Sequence, residues 1–128
     1  MKKTALFALT GLALGLAGSL PAAADGDPAK GKRLYMRCKA CHALEQGVNK
    51  IGPSLHDLFG RKAGSVEGFR YSKAMKNADI TWNAETISAY LENPRKYIPG
   101  NRMSFAGLRK EQDREDVIAY LKQEVGGE

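Results

Sequence analysis

The run Cys38-Lys39-Ala40-Cys41-His42 holds the only two cysteines in a chain of 128 residues. Two thiols three positions apart, with a histidine directly after the second, leave few chemistries open. A zinc site needs four ligands, and His56 would have to complete it. Adjacent Cys41 and His42 do not match the usual zinc spacing, which sets cysteine and histidine far apart. A thioredoxin-type redox pair wants strand–helix–strand surroundings, and none is visible here. A plain structural disulfide gives His42 no reason to be there. The pattern reads instead as covalent attachment of a c-type haem. Two thiols at a helix end can each bond a vinyl-derived carbon on one porphyrin edge. His42 then lies under the iron and supplies an imidazole nitrogen.

The N-terminus bears on the compartment. Lys2 and Lys3 precede an apolar stretch over residues 5–20, and Ala22-Ala23-Ala24 follows at once. This is the order of a secretory signal peptide, with cleavage expected after Ala24. An uncleaved anchor is the alternative, but the apolar core is short for a span. The expected division is a signal peptide over 1–24 and one domain over 25–128. That mature chain has 18 basic and 14 acidic side chains, a net charge of +4. A modest basic excess suits an acidic protein surface or nucleic acid, and an exported address speaks against nucleic acid. No second apolar run is long enough for a bilayer, so a soluble monomer without stable membrane insertion is expected.

Along the mature chain the pattern predicts three to five helices joined by long turns. Asp27-Pro28 reads as a cap and first helical residue, carrying Leu34 and Tyr35 inward and running into Cys38. Residues 45–60 and 61–68 read as loop, and 71–77 as a short helix. Asn83 caps the next helix, with Ile87, Tyr90 and Leu91 on one face. Asn93-Pro94 stops it. A last helix starts near Glu111, with acidic residues in its first turns. Val117, Ile118, Tyr120 and Leu121 form its apolar side, and Gly126-Gly127 ends it. Loops this long count against so small a domain. A large central cofactor removes the objection, because loops can pack on it. The fold class expected is all-α.

An electron-carrying haem iron has a second axial ligand, and Met36, Met75, Met103 and His56 are the candidates. Spacing alone does not choose among them, since a lone methionine is more often core filler. Met36 is too close to Cys38 on one helix to reach the far face of the ring. Met103, after Pro99-Gly100, stands in a loop where buried filler would be odd. Thioether ligation raises the iron potential.

Several separate motifs stand in the order of one family: Gly31-Lys32, the C-x-x-C-H run, Ile51-Gly52-Pro53-Ser54-Leu55 and Phe59-Gly60-Arg61-Lys62-Ala63-Gly64. They continue through Tyr71-Ser72, Ile80-Thr81-Trp82, Tyr90-Leu91-Glu92-Asn93-Pro94, residues 96–107 and residues 114–122. In these the chain resembles the class I cytochromes c, mitochondrial cytochrome c and its bacterial periplasmic relatives among them, over nearly the whole mature length. The resemblance implies the class I fold wrapped around one haem c, bound through Cys38 and Cys41. It implies His42 and Met103 as the axial ligands, and Pro53 as the carbonyl that takes the proton on the far nitrogen of His42. Arg61, Tyr71 and Trp82 match groups at the haem propionates. Tyr90 matches the tyrosine near the sulfur, and Phe105 the aromatic beside the exposed haem edge. Gly31, Tyr35, Val117 and Tyr120 match the crossing of the first and last helices. Two positions depart from the pattern. Met75 stands where a polar residue is usual, and Asn101 stands where a threonine is usual. The loop after Glu45 is also one residue short of the mitochondrial pattern.

Such a likeness implies a diffusible periplasmic one-electron carrier rather than an enzyme. The iron would cycle between Fe(III) and Fe(II). Arg37, Lys50, Arg95, Lys96, Arg102, Arg109 and Lys110 match positions ringing the haem edge, and would steer it toward redox partners with acidic faces. The partners implied are a cytochrome bc-type complex on one side and a terminal oxidase, photosynthetic reaction centre or dehydrogenase on the other. The competing readings are a haem peroxidase or gas-binding protein, with Met103 weakly bound or absent from the iron, and a non-haem thiol or metal protein.

Overall fold

The computed structural model describes residues 26–127, together with Gly11, Ala13 and Gly15. The expected signal peptide and its boundary at Ala24 lie outside the described residues. Those residues form five helices: α1 (Pro28–Lys39), α2 (Lys73–Lys76), α3 (Ala84–Glu92), α4 (Pro94–Tyr97) and α5 (Glu111–Val125). No strand occurs among them, only two isolated bridges, Phe59 with Gly127 and Lys62 with Thr81. None of the described helices is long and apolar enough to cross a membrane.

The first four helices start where a side chain caps their free N–H groups, while α5 starts at Lys110 without a side-chain cap. The Asp27 carboxylate accepts from the N–H of Ala29 at 2.9 Å and of Lys30 at 3.4 Å, with Pro28 at the first position. Asn83 and Thr86 form a reciprocal capping box for α3. Helix α2 is shorter than the 71–77 read from sequence. Ser72 is extended and its hydroxyl accepts the Met75 N–H at 3.1 Å, so the helix cannot begin earlier. Helix α4 was not anticipated. Asn93 ends α3, as expected, but its side chain also caps α4 by accepting the Lys96 N–H at 3.2 Å. The pair Asn-Pro is both a stop and a start.

The core is built by Tyr35 from α1, Ile87 and Tyr90 from α3, and Val117, Ile118, Tyr120, Leu121 and Val125 from α5. Leu58, Phe59, Trp82, Ile98 and Leu108 join them from the connections. Leu34, expected inward, is half-buried against this cluster.

The tightest joint is the crossing of α1 and α5. A Cβ added to Gly31 would fall on the carbonyl of Asp116 and come within 2.8 Å of Tyr120 Cβ. The Tyr35 and Tyr120 rings meet at 5.4 Å beside it. Asp116 is 2% exposed, and its carboxylate accepts the Asp27 N–H at 2.7 Å and the Gln112 side chain at 2.9 Å. These bonds, the first above all, hold its pKa below the ordinary carboxylate value against the opposing effect of burial. Arg114, also buried, donates to the carbonyls of Leu108 and Arg109 at 2.8 and 2.9 Å and to Ser88 at 3.0 Å, tying α5 to α3 and to the loop before it. The C-terminus is pinned too: the Asp57 N–H donates to the Val125 carbonyl at 2.9 Å.

Gly31→Ala should therefore destabilise the protein by about 1–3 kcal/mol, the usual cost of forcing a methyl into a packed contact. A guanidinium unfolding midpoint lower than the parent's checks it, and an unchanged midpoint would mean that the crossing yields.

Candidate functional site

Cys38 lies in the last turn of α1, and the chain turns back on it. The Cys38 carbonyl accepts the N–H of both Cys41 (3.0 Å) and His42 (2.9 Å). That curl brings Cys38, Cys41 and His42 together on one side. Burial pushes the Cys38 thiol up to about 11, with Cys41 adding to it and Arg37 opposing.

His42 is fixed from the far side. Its Nδ1 lies 2.7 Å from the Pro53 carbonyl. A carbonyl only accepts, so Nδ1 carries the proton and the lone pair sits on Nε2. The Pro53 segment is held in turn by Gly52 N–H to the Cys41 carbonyl (2.8 Å), Leu55 N–H to the Ala43 carbonyl (2.9 Å), and the buried Ser54 hydroxyl to the Glu45 carbonyl (2.6 Å). Gly52 admits no side chain, because a Cβ there would sit against the imidazole, 2.7 Å from Nδ1. Burial pulls the His42 pKa below its ordinary value, the Pro53 bond opposes, and Arg61 and Lys50 lower it further. The ring is thus neutral and able to ligate.

Of the four candidates for a second ligand, Met36 is 59% exposed on α1, and Met75 is half-buried in α2 against the core. His56 Nε2 lies 3.3 Å from the Asp57 carboxylate. Met103 has a different setting. The Tyr90 hydroxyl donates to its sulfur at 3.3 Å, and its backbone N–H donates to Asn101 Oδ1 at 2.9 Å. The loop that looked exposed in sequence leaves Met103 half-buried against the core. Burial pushes Tyr90 up to about 12, so its hydroxyl keeps the proton it donates.

Arg61 and Trp82 come from separate segments, joined by Gly60 N–H to the Trp82 carbonyl (2.7 Å) and Trp82 N–H to the Arg61 carbonyl (2.8 Å). Trp82 is buried, with its ring 5.2 Å from Tyr90. Arg61 Nη1 donates to the carbonyls of Ser54 (3.0 Å) and His56 (2.7 Å). Its Nε is buried with no protein partner. An orphaned guanidinium N–H calls for an anionic acceptor. Burial lowers the Arg61 pKa, while Tyr71 and Asp57 raise it. The Tyr71 oxygen accepts the Val66 N–H at 3.0 Å, which leaves its own proton to donate. The residues present therefore fit a haem c, whose propionates are such acceptors. Phe105 is half-buried at the rim of an open groove, with Arg95, Lys96 and Arg109 around it.

Sequence reasoning missed the structural parts of this arrangement: buried Arg114 and Asp116, and Gly52 as the floor under the imidazole. Nothing in composition or period distinguishes these from solvated charges or a loop glycine.

A family model described as cytochrome c matches residues 28–124. The cytochrome c of Gibberella zeae is 57% identical over 101 residues, covering 77% of this chain and 95% of that protein. The cytochrome c of Arabidopsis thaliana is 54% identical over 103 residues, covering 79% and 92%. Among solved structures, cytochrome cH from Methylobacterium extorquens is 38% identical with a TM-score of 0.72, covering 77% of this chain and 99% of that one. This chain belongs to the cytochrome c family. It is an electron-transfer protein that binds haem c through Cys38 and Cys41.

Cys38→Ser and Cys41→Ser should each cut haem loading and the yield of folded protein several-fold, read as visible absorbance per mole of chain. A double variant that folded in normal yield without colour would contradict the attachment.

Proposed function

We propose that this cytochrome c is a periplasmic one-electron shuttle, exported by a signal peptide cleaved after Ala24, with His42 and Met103 as the two axial ligands. Bound haem c supplies the one-electron chemistry, between Fe(III) and Fe(II). His42 offers Nε2, and the Pro53 carbonyl on Nδ1–H fixes the tautomer and strengthens the donor. Met103 offers its sulfur. The observation that carries the reading is the Tyr90 hydroxyl 3.3 Å from that sulfur, because no other candidate side chain is held this way. Two protein ligands leave no open position for substrate, which favours a carrier over a peroxidase or a gas-binding protein.

Arg61, Tyr71 and Trp82 would hold the propionates, with the partnerless Arg61 Nε as the strongest support. Phe105 and the cations of its groove, with exposed Arg37, Lys50, Arg102 and Lys110, would form the face through which electrons pass. This face suits redox partners with acidic surfaces: a cytochrome bc-type complex as donor, and a terminal oxidase, reaction centre or dehydrogenase as acceptor. The export address read from Lys2, Lys3 and Ala22-Ala23-Ala24 supports the periplasm. The protein would act as a monomer.

Met103→Ala should lower the reduction potential and let carbon monoxide bind the ferrous form, whereas Met36→Ala and Met75→Ala should do neither. An open site produced by Met75→Ala instead would move the ligand to that residue.

Exposed charges lose most of their reach beyond about 10 Å in 0.1 M salt. The second-order rate with a physiological partner should therefore fall steeply with ionic strength. Lys96→Glu should slow association and flatten that dependence. Lys122→Glu, near the C-terminal end of α5, should do much less. Equal effects would leave net charge as the cause and remove the docking face.

A further inference from the structure

The strongest unexplained feature is the side chain two residues before Met103. We infer that Asn101 is a positioning residue: it latches the loop over residues 98–103 shut, and so sets how rarely the Met103 thioether leaves its place. The inference rests on the reading of Met103 as an iron ligand.

Every polar atom of the half-buried Asn101 side chain is engaged. Its Nδ2 donates to two carbonyls, those of Pro94 and Ile98, each at 2.8 Å. Its Oδ1 accepts the Met103 N–H at 2.9 Å. The same oxygen lies 3.4 Å from the Tyr90 hydroxyl, which also reaches the Met103 sulfur. The amide orientation follows from its neighbours. Two carbonyls can only accept and a backbone N–H can only donate, so the flipped amide would set like groups against like three times. One side chain thereby joins the start and the end of α4, the backbone of Met103 and the tyrosine that holds its sulfur.

A threonine in this position has one hydroxyl proton and can serve only one of the two carbonyls. Alanine serves none. When the loop opens, these groups turn to water, so each bond is worth a factor of roughly two to ten in the closing equilibrium. Losing the three close bonds together should shift opening by roughly ten- to a thousand-fold. An added ligand that binds only the open form gains apparent affinity by the same factor, since that affinity scales with the open population. Imidazole, which competes for the iron position that the thioether vacates, is such a probe.

The experiment is a titration of the ferric holoprotein with imidazole, followed by its absorption spectrum, with amide hydrogen exchange at Met103 measured alongside. Asn101→Ala should bind imidazole at least about ten-fold more tightly than the parent. Its Met103 N–H should exchange faster by a similar factor. Asn101→Thr should fall between the two, and it decides the matter if the alanine variant does not fold. Gly31→Ala loosens the distant helix crossing and should leave imidazole affinity close to the parent's. Parent-like affinity in the Asn101 variants, or an equal gain in Gly31→Ala, would overturn the latch. Met103→Ala tests the reading beneath it. If that variant binds imidazole no more tightly than the parent, Met103 is not the ligand. If it binds more tightly while the Asn101 variants do not, the latch alone falls.

Discussion

Everything else in this structure depends on the close approach of two helix backbones at Gly31. A missing side chain there lets α1 settle on the Asp116 carbonyl. The crossing then orients the attachment end of the machinery. Cys38 stands two turns further along α1, so its direction is set by how Gly31 and Tyr35 seat on α5. On the other helix, Arg114 carries the same rigidity to Ser88 in α3 and to the carbonyls of Leu108 and Arg109. Tyr90 belongs to that same α3, but the hold on the Met103 sulfur is local, made by the Tyr90 hydroxyl and the Asn101 side chain. A buried charge is a costly way to join elements unless its hydrogen bonds are met. Arg114 meets two of them with backbone carbonyls and one with the Ser88 hydroxyl.

The polar groups around the site share one electrostatic logic. Burial holds His42 neutral and Tyr90 protonated, and the Pro53 carbonyl and the Asn101 amide carry no charge at all. The exception is Arg61, a cation whose buried Nε has no protein partner. The flexible charges are outside, on Arg95, Lys96, Arg102 and Arg109, where water screens them. Apart from Arg61, the site thus keeps its polar groups neutral inside, while the charges that salt screens are exposed.

What was legible in the sequence was whatever a short pattern states. Asp27-Pro28 and Asn83 mark helix starts through local bonding and Gly126-Gly127 marks an end, and the ends fall where those residues stand. The C-x-x-C-H run names its cofactor in five residues. The four-residue helix α4 was not legible, because Asn93-Pro94 was read only for what it terminates. The partners of Arg114 and Asp116 were not legible either, since a charged residue in a helix is usually solvated and only tertiary contact reverses that. Asn101 lies between these cases. Its departure from the family pattern is visible in sequence, but the donors and acceptors it joins come from α3, α4 and Met103 and meet only in the folded chain.

The joint between α1 and α5 links residues 89 positions apart, at the two ends of the described chain. A growing polypeptide makes Cys38, Cys41 and His42 early and Asp116, Tyr120 and Val125 last. Until the final turns of α5 are synthesised, α1 has nothing to close upon, and long-range contacts of this kind are slow to form in any case. The two thiols are thus displayed on an unclosed chain for the whole interval of synthesis.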